Sequence, residues 1–223
     1  MIRMLLMAVL LASPGAMGVQ VPVSIPSFVV EEAAKPQPIA FCLALLRVRI
    51  PCGMEIREED YRWGFRPDHD RPLGEAGPLA EAVKVFEQRH PNYRVAVDST
   101  AVVIRPRFQS LPFLDSVSPV REEKTVTGPL KSVKTVFAGL YPRLAGGGVE
   151  LNSMGYPGWD RKVVLKGGQD RTATDTLNQI AVQLPGYAWL VTTKAVEGRV
   201  QVVEPSVLES NGNRRYITIS ENR

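Results

Sequence analysis

The sequence predicts an α+β protein made of two tandem two-layer units, each with two helices on one face of a small mixed sheet. A leader segment precedes the units. Three observations carry this. Apolar residues recur at helical spacing in some stretches and as short Val-rich runs in others. The 18 Gly and 18 Pro break every long segment. Most tellingly, the order of elements occurs twice along the chain.

The repeat shows as a near-constant offset. Gly53-Met54-Glu55-Ile56 matches Gly148-Val149-Glu150-Leu151, and Tyr61 matches Tyr156, both 95 positions on. Ile39, Leu43 and Leu46 match Val133, Phe137 and Leu140 at 94, as Pro91, Tyr93, Val95 and Val97 match Pro185, Tyr187, Trp189 and Val191. The repeat divides the chain into a first unit at 25–106, a linker at 107–120 rich in turn signals, a second unit at 121–205, and a polar tail at 206–223.

Within the units, strands are expected at Phe28-Val29-Val30 and Lys124-Thr125-Val126, each followed by a helix. Those helices span Pro38–Arg49, with Ile39, Cys42, Leu43 and Leu46 three and four apart, and Leu130–Leu140. Gly53 and Gly146-Gly147-Gly148 end them. Extended pieces carrying Gly-x-Glu-x follow, with the glutamates at outward positions. Second helices span Leu79–Arg89 and Ala173–Leu184, ended by His90-Pro91 and Pro185-Gly186. A hairpin closes each unit, Tyr93–Val97 with Val102–Arg105 and Tyr187–Thr192 with Arg199–Val203.

Met1–Gly18 has the form of a secretory signal. Arg3 supplies the positive start, Met4–Ala12 the apolar run, and Ala16-Met17-Gly18 the small residues of a cleavage site. The run is too short for the ~20 residues that span a bilayer. The expected location is the periplasm or the medium, with no stable membrane insertion. Export exposes the protein to oxidising conditions, which makes Cys42 and Cys52 a candidate disulfide. Closing so short a loop contributes roughly 2–3 kcal/mol in the chain-entropy view. The alternative is two small buried hydrophobes.

The stretch Val163-Val164-Leu165-Lys166-Gly167-Gly168, then Thr174–Leu184, then the hairpin Tyr187–Val203 resembles the small N-terminal, STN-like modules of bacterial secretins and TonB-dependent receptors. Leu79–Arg105 matches the same pattern more loosely. The resemblance is one of element order. It implies protein–protein contact in the bacterial envelope and no chemistry.

Charges and motifs narrow the function. Asp68-His69-Asp70 lies in one loop between Arg66 and Arg71, and adjacent residues cannot converge on one ion without partners from elsewhere. Neither a metal nor another cofactor is expected. No Walker, Gly-x-Ser-x-Gly or His-Glu-x-x-His pattern occurs, and no enzyme is expected. The excess of 27 Lys+Arg over 23 Asp+Glu is scattered, so no nucleic-acid surface is expected. It allows weak attraction to anionic envelope polymers. The candidate binding residues are Tyr61, Trp63, Phe65, Tyr156 and Trp159, which stand among Gly and Pro in matching loops. Trp and Tyr dominate interface hot spots, but such rings also fold back as a lid over an open face. The sequence therefore reads as an exported, non-catalytic module that binds envelope protein, linked to secretion or uptake machinery. The second reading is a periplasmic binding protein for a small ligand or cell-wall glycan, using the same rings.

Overall fold

A computed structural model describes residues 24–61, 72, 74–140 and 160–216. The expected leader, Trp63, Phe65, Asp68-His69-Asp70, Gly146–Gly148, Glu150, Tyr156 and Trp159 lie outside these residues. The chain is α+β. The first half runs β1 (Ser24–Pro26), α1 (Ser27–Ala33), α2 (Pro38–Arg47), β2 (Cys52–Arg57), β3 (Ala76–Pro78), α3 (Leu79–Arg89), β4 (Tyr93–Val97) and β5 (Val102–Pro106). The second half runs β6 (Lys124–Thr127), α4 (Pro129–Phe137), β7 (Lys162–Leu165), α5 (Ala173–Gln183), β8 (Tyr187–Val196), β9 (Arg199–Glu209) and β10 (Arg214–Tyr216).

Local sequence explains the helix starts. Proline occupies the first turn of α2 and α4, where its missing N–H costs nothing. A capping box opens α5: the Asp175 N–H donates to Thr172 Oγ1 at 3.1 Å, and the Thr172 N–H donates to the Asp175 carboxylate at 2.7 Å. Phe28-Val29-Val30, expected as a strand, forms α1 instead. Phe28, Val29, Glu32 and Ala33 make one buried stripe there, and its burial outweighs the strand preference of valine.

The repeat suggested a separate sheet for each half; the structure corrects this. Strands of both halves form one six-stranded sheet in the order β10-β9-β8-β2-β5-β4. The join is β2, which runs parallel to β5 on one side and to β8 on the other, with Gly53 opposite Trp189 and Arg57 opposite Thr193. Every other pair in this sheet is antiparallel. The physical reason is two-sided burial. Val102-Val103-Ile104 and Trp189-Leu190-Val191 are continuous apolar runs, as strands covered on both faces must be.

Two hydrophobic clusters therefore lie on opposite faces of one sheet. Helices α1, α2 and α3 cover the face carrying Met54, Ile56, Val102, Ile104, Ala188 and Leu190. Helices α4 and α5 cover the face carrying Val103, Trp189, Val191 and Val207. Gly53 is required on this second face because the Trp189 indole lies directly against its Cα.

Segment 107–120 is docked rather than loose. It contains a 3-10 turn at Pro112–Asp115, and Leu111, Leu114 and Val120 are buried in the second cluster. The expected polar tail likewise enters the sheet: Ser206, Val207 and Leu208 are buried in β9, and β10 pairs with β9. Two antiparallel pairs, β1–β3 and β6–β7, flank the main sheet. The outer edge of β7 is closed by glutamines of α5. Gln183 pairs with both backbone groups of Val164 at 2.9 and 2.8 Å, and Gln179 with those of Lys166 at 2.6 and 3.1 Å. Among the described residues, no helix is long and apolar enough to cross a membrane.

Candidate functional site

The first aromatic loop leaves the sheet at the C-terminal end of β2, through a 3-10 turn at Glu58–Asp60. Tyr61 follows, its N–H bonded to the carbonyls of Arg57 at 3.1 Å and Glu58 at 3.3 Å. It is half-buried, and the Arg214 guanidinium stacks on its ring 4.4 Å from the centroid. Arg214 is itself held by Glu204 at 2.7 Å, Ser206 Oγ at 2.8 Å and Thr192 Oγ1 at 2.7 Å. The base of the aromatic loop is thus clamped to β8, β9 and β10, elements of the other half of the chain. Of the sequence-predicted binding residues, the described region contains Tyr61 alone, so a convergence of the two aromatic loops lies outside it.

Beside this base lies a cleft of about 140 Å³ lined by Pro36, Gln37, Pro38, Glu59, Asp60 and His90. The Tyr93 hydroxyl donates to Asp60 Oδ2 at 2.7 Å and accepts the Arg57 N–H at 3.1 Å. Burial drives the Tyr93 phenol far above its ordinary range, so it remains a donor. His90 caps α3, as its position before Pro91 suggests, and its ring also reaches the Lys35 carbonyl at 2.9 Å. A carbonyl only accepts, so Nε2 carries the hydrogen in this contact. Burial is the main cause that lowers the His90 pKa, with Arg89 adding to it; the Lys35 carbonyl and Asp60 act in the opposite direction. The cleft falls below the ~300–1,000 Å³ of ordinary small-molecule sites.

Glu55 is fully buried on the second sheet face, which corrects its expected outward position. Its Oε1 accepts the Leu111 N–H at 2.7 Å; its Oε2 accepts Ser110 Oγ–H at 2.6 Å and Arg105 Nε–H at 3.2 Å. Arg105 also makes a two-pronged contact with Asp115 and donates to the Leu111 carbonyl at 3.1 Å. These charges fasten segment 107–120 to the sheet. Arg105 is therefore a buried structural cation rather than part of a basic surface patch.

The sulfurs of Cys42 and Cys52, both fully buried, stand 3.0 Å apart with no covalent bond between them in the structure. Among the described residues, no three His, Cys, Asp or Glu side chains are grouped to hold a metal.

Sequence reasoning missed the Asp60–Tyr93–His90 convergence, because those residues come from three different elements. The available signal was Tyr93, a hydroxyl-bearing ring at the strand's first, buried position. No protein family, curated protein or solved structure matches this chain.

Proposed function

We propose that the chain is an exported, non-catalytic module of the cell envelope that binds another protein through the aromatic segment beginning at Tyr61. The observation that carries this reading is the clamped base: Tyr61 under Arg214, with Arg214 fixed by three further partners. Trp63 and Phe65 follow within four residues of that anchor. A fixed base lowers the ordering cost of a contact loop, and aromatic side chains give large contact area per rotatable bond. The order of helix and hairpin in each half is in keeping with the STN-like resemblance, and with it a partner belonging to secretion or uptake machinery.

The test is crosslinking of the tagged mature chain in intact envelopes, with Trp63→Ala/Phe65→Ala alongside. One partner protein recovered with the wild type and reduced at least about tenfold with the variant, at equal variant stability, supports the proposal. Equal recovery with both chains, or the tagged protein alone, rejects it. Quenching of tryptophan fluorescence by soluble cell-wall fragments, lost in the variant, would establish the glycan reading instead.

A further inference from the structure

A pair of buried cysteines bridges α2 and β2. Cys42 lies in the middle of α2, and Cys52 is the first residue of β2. They are ten positions apart, and the turn between them holds Arg49 in a left-handed conformation, φ 60°, which brings β2 back beneath α2. The two sulfurs stand 3.0 Å apart, about 1 Å beyond the ~2.05 Å of a covalent bond. Neither side chain is reached by solvent. Both belong to the apolar cluster that includes Phe41, Leu45, Leu46 and Met54.

We propose that Cys42 and Cys52 form an intrachain disulfide that closes while α2 is still undocked and is then sealed inside the core. The reaction is an ordinary double exchange. In the open chain, the thiolate of one cysteine attacks a disulfide oxidant, an exporting compartment's dithiol oxidase or oxidised glutathione, and releases one thiolate of that oxidant. The thiolate of the second cysteine then attacks the mixed disulfide, forms the Cys42–Cys52 bond and releases the other half. Each cysteine gives one proton to solvent, and the two electrons end on the sulfurs of the oxidant.

Burial dictates the order of events. Exchange needs a thiolate and a straight approach of a third sulfur. In the folded chain burial raises the Cys52 thiol, with the Cys42 contact adding to it, and there is no path for an oxidant. The folded protein therefore resists closure and, once closed, resists reduction. This inference does not depend on the binding proposal, since it concerns any compartment that supplies the oxidant.

The experiment uses the full chain. Reduced, denatured protein is refolded with a glutathione redox buffer, and in parallel reduced protein is refolded first and given the same buffer afterwards. Both are denatured in acid, treated with a maleimide and weighed intact. The first sample is expected to take no maleimide and to be lighter by two hydrogens. The second is expected to take two maleimides, its closure slowed at least about 100-fold. The closed chain should also show a folding equilibrium constant about 100-fold above the reduced chain. A Cys42→Ala/Cys52→Ala chain should give one urea midpoint regardless of redox buffer. Two maleimides on the first sample, glutathione adducts, or linked dimers overturn the bond. Equal closure rates in the two samples overturn the sealing.

Discussion

Substituting Gly53→Ala should unlock the centre of the molecule. A methyl group at this position would overlap Cε2, Nε1 and Cζ2 of the Trp189 indole. Neither side can yield cheaply. Gly53 is hydrogen-bonded within β2 between β5 and β8, and Trp189 is wholly buried against α5. The ring must tilt, and overpacking of this kind costs about 1–3 kcal/mol. Tilting also breaks the bond from Trp189 Nε1–H to Asn178 Oδ1, 2.9 Å long, and strands two buried polar groups. That adds about 1–3 kcal/mol. The sum, about 2–6 kcal/mol, is a large share of the ~5–15 kcal/mol that holds a domain together. At a urea dependence of about 2 kcal/mol per molar, the unfolding midpoint should fall by roughly 1–3 M. The assay is urea titration by circular dichroism together with tryptophan emission, in a Trp63→Phe/Trp159→Phe background that leaves Trp189 as the sole reporter. The emission should move to the red in the variant. Trp189→Phe should recover part of the loss when combined with Gly53→Ala, because the smaller ring clears the methyl. A midpoint within about 0.3 M of the parent, with unchanged emission, would refute the reasoning.

Two further outcomes follow from the buried and half-buried charges. Glu55→Gln keeps the shape but turns one arm into an amide N–H2 that faces donors. It should cost about 3–5 kcal/mol and speed proteolysis within 107–120, because the one remaining oxygen can serve either the Leu111 N–H or the Ser110 and Arg105 donors but not both, and Arg105 loses its buried counter-charge; cleavage at the parental rate would show that the segment is held by its apolar residues alone. For His90, burial lowers the folded-state pKa below the ordinary 6.5, so the unfolded chain binds the proton first. This contribution is whole above pH 6.5 and is lost progressively as the pH falls below it. His90→Gln keeps a donor for the Lys35 carbonyl and should flatten that part of the profile, read from urea midpoints between about pH 5 and 7.5; parallel profiles for the two chains would remove His90 as the cause.

Much of the local structure was legible because it depends on neighbours in sequence. Helix α3 spans Leu79–Arg89 as its apolar spacing predicts, and α5 begins where Thr172 and Asp175 make a capping box. The hairpins follow from Val-rich runs joined by turn residues, with Gly198 at φ 75° in the β8–β9 turn. The shared sheet was not legible. Pairing of β2 with β8 is a contact between distant segments, and its sequence trace is only that Trp189-Leu190-Val191 does not alternate with polar residues. The burial of Glu55 was hidden for the same reason. Alternation assigns Glu55 to the opposite face from Met54 and Ile56, correctly, but says nothing about the docked segment that covers that face. Tyr61 could be singled out as an aromatic in a loop; that Arg214 would be its anchor could not, since 153 positions separate them.

The parallel join between β2 and β8 also fixes the timetable of folding. Glu55 and Thr193, which meet across this join, are 138 positions apart. At ~5–20 residues per second a growing chain needs roughly 7–28 s to deliver that second strand. Until then β2, with β5 already available on one side, presents an unpaired row of N–H and C=O groups on the other, and lacks the side chain of Trp189 over Gly53. An open edge of this kind is a template for any extended chain nearby. The protein thus passes through an adhesive half-sheet each time it is made, and its yield depends on how quickly its own C-terminal strands reach that edge before a neighbour's do.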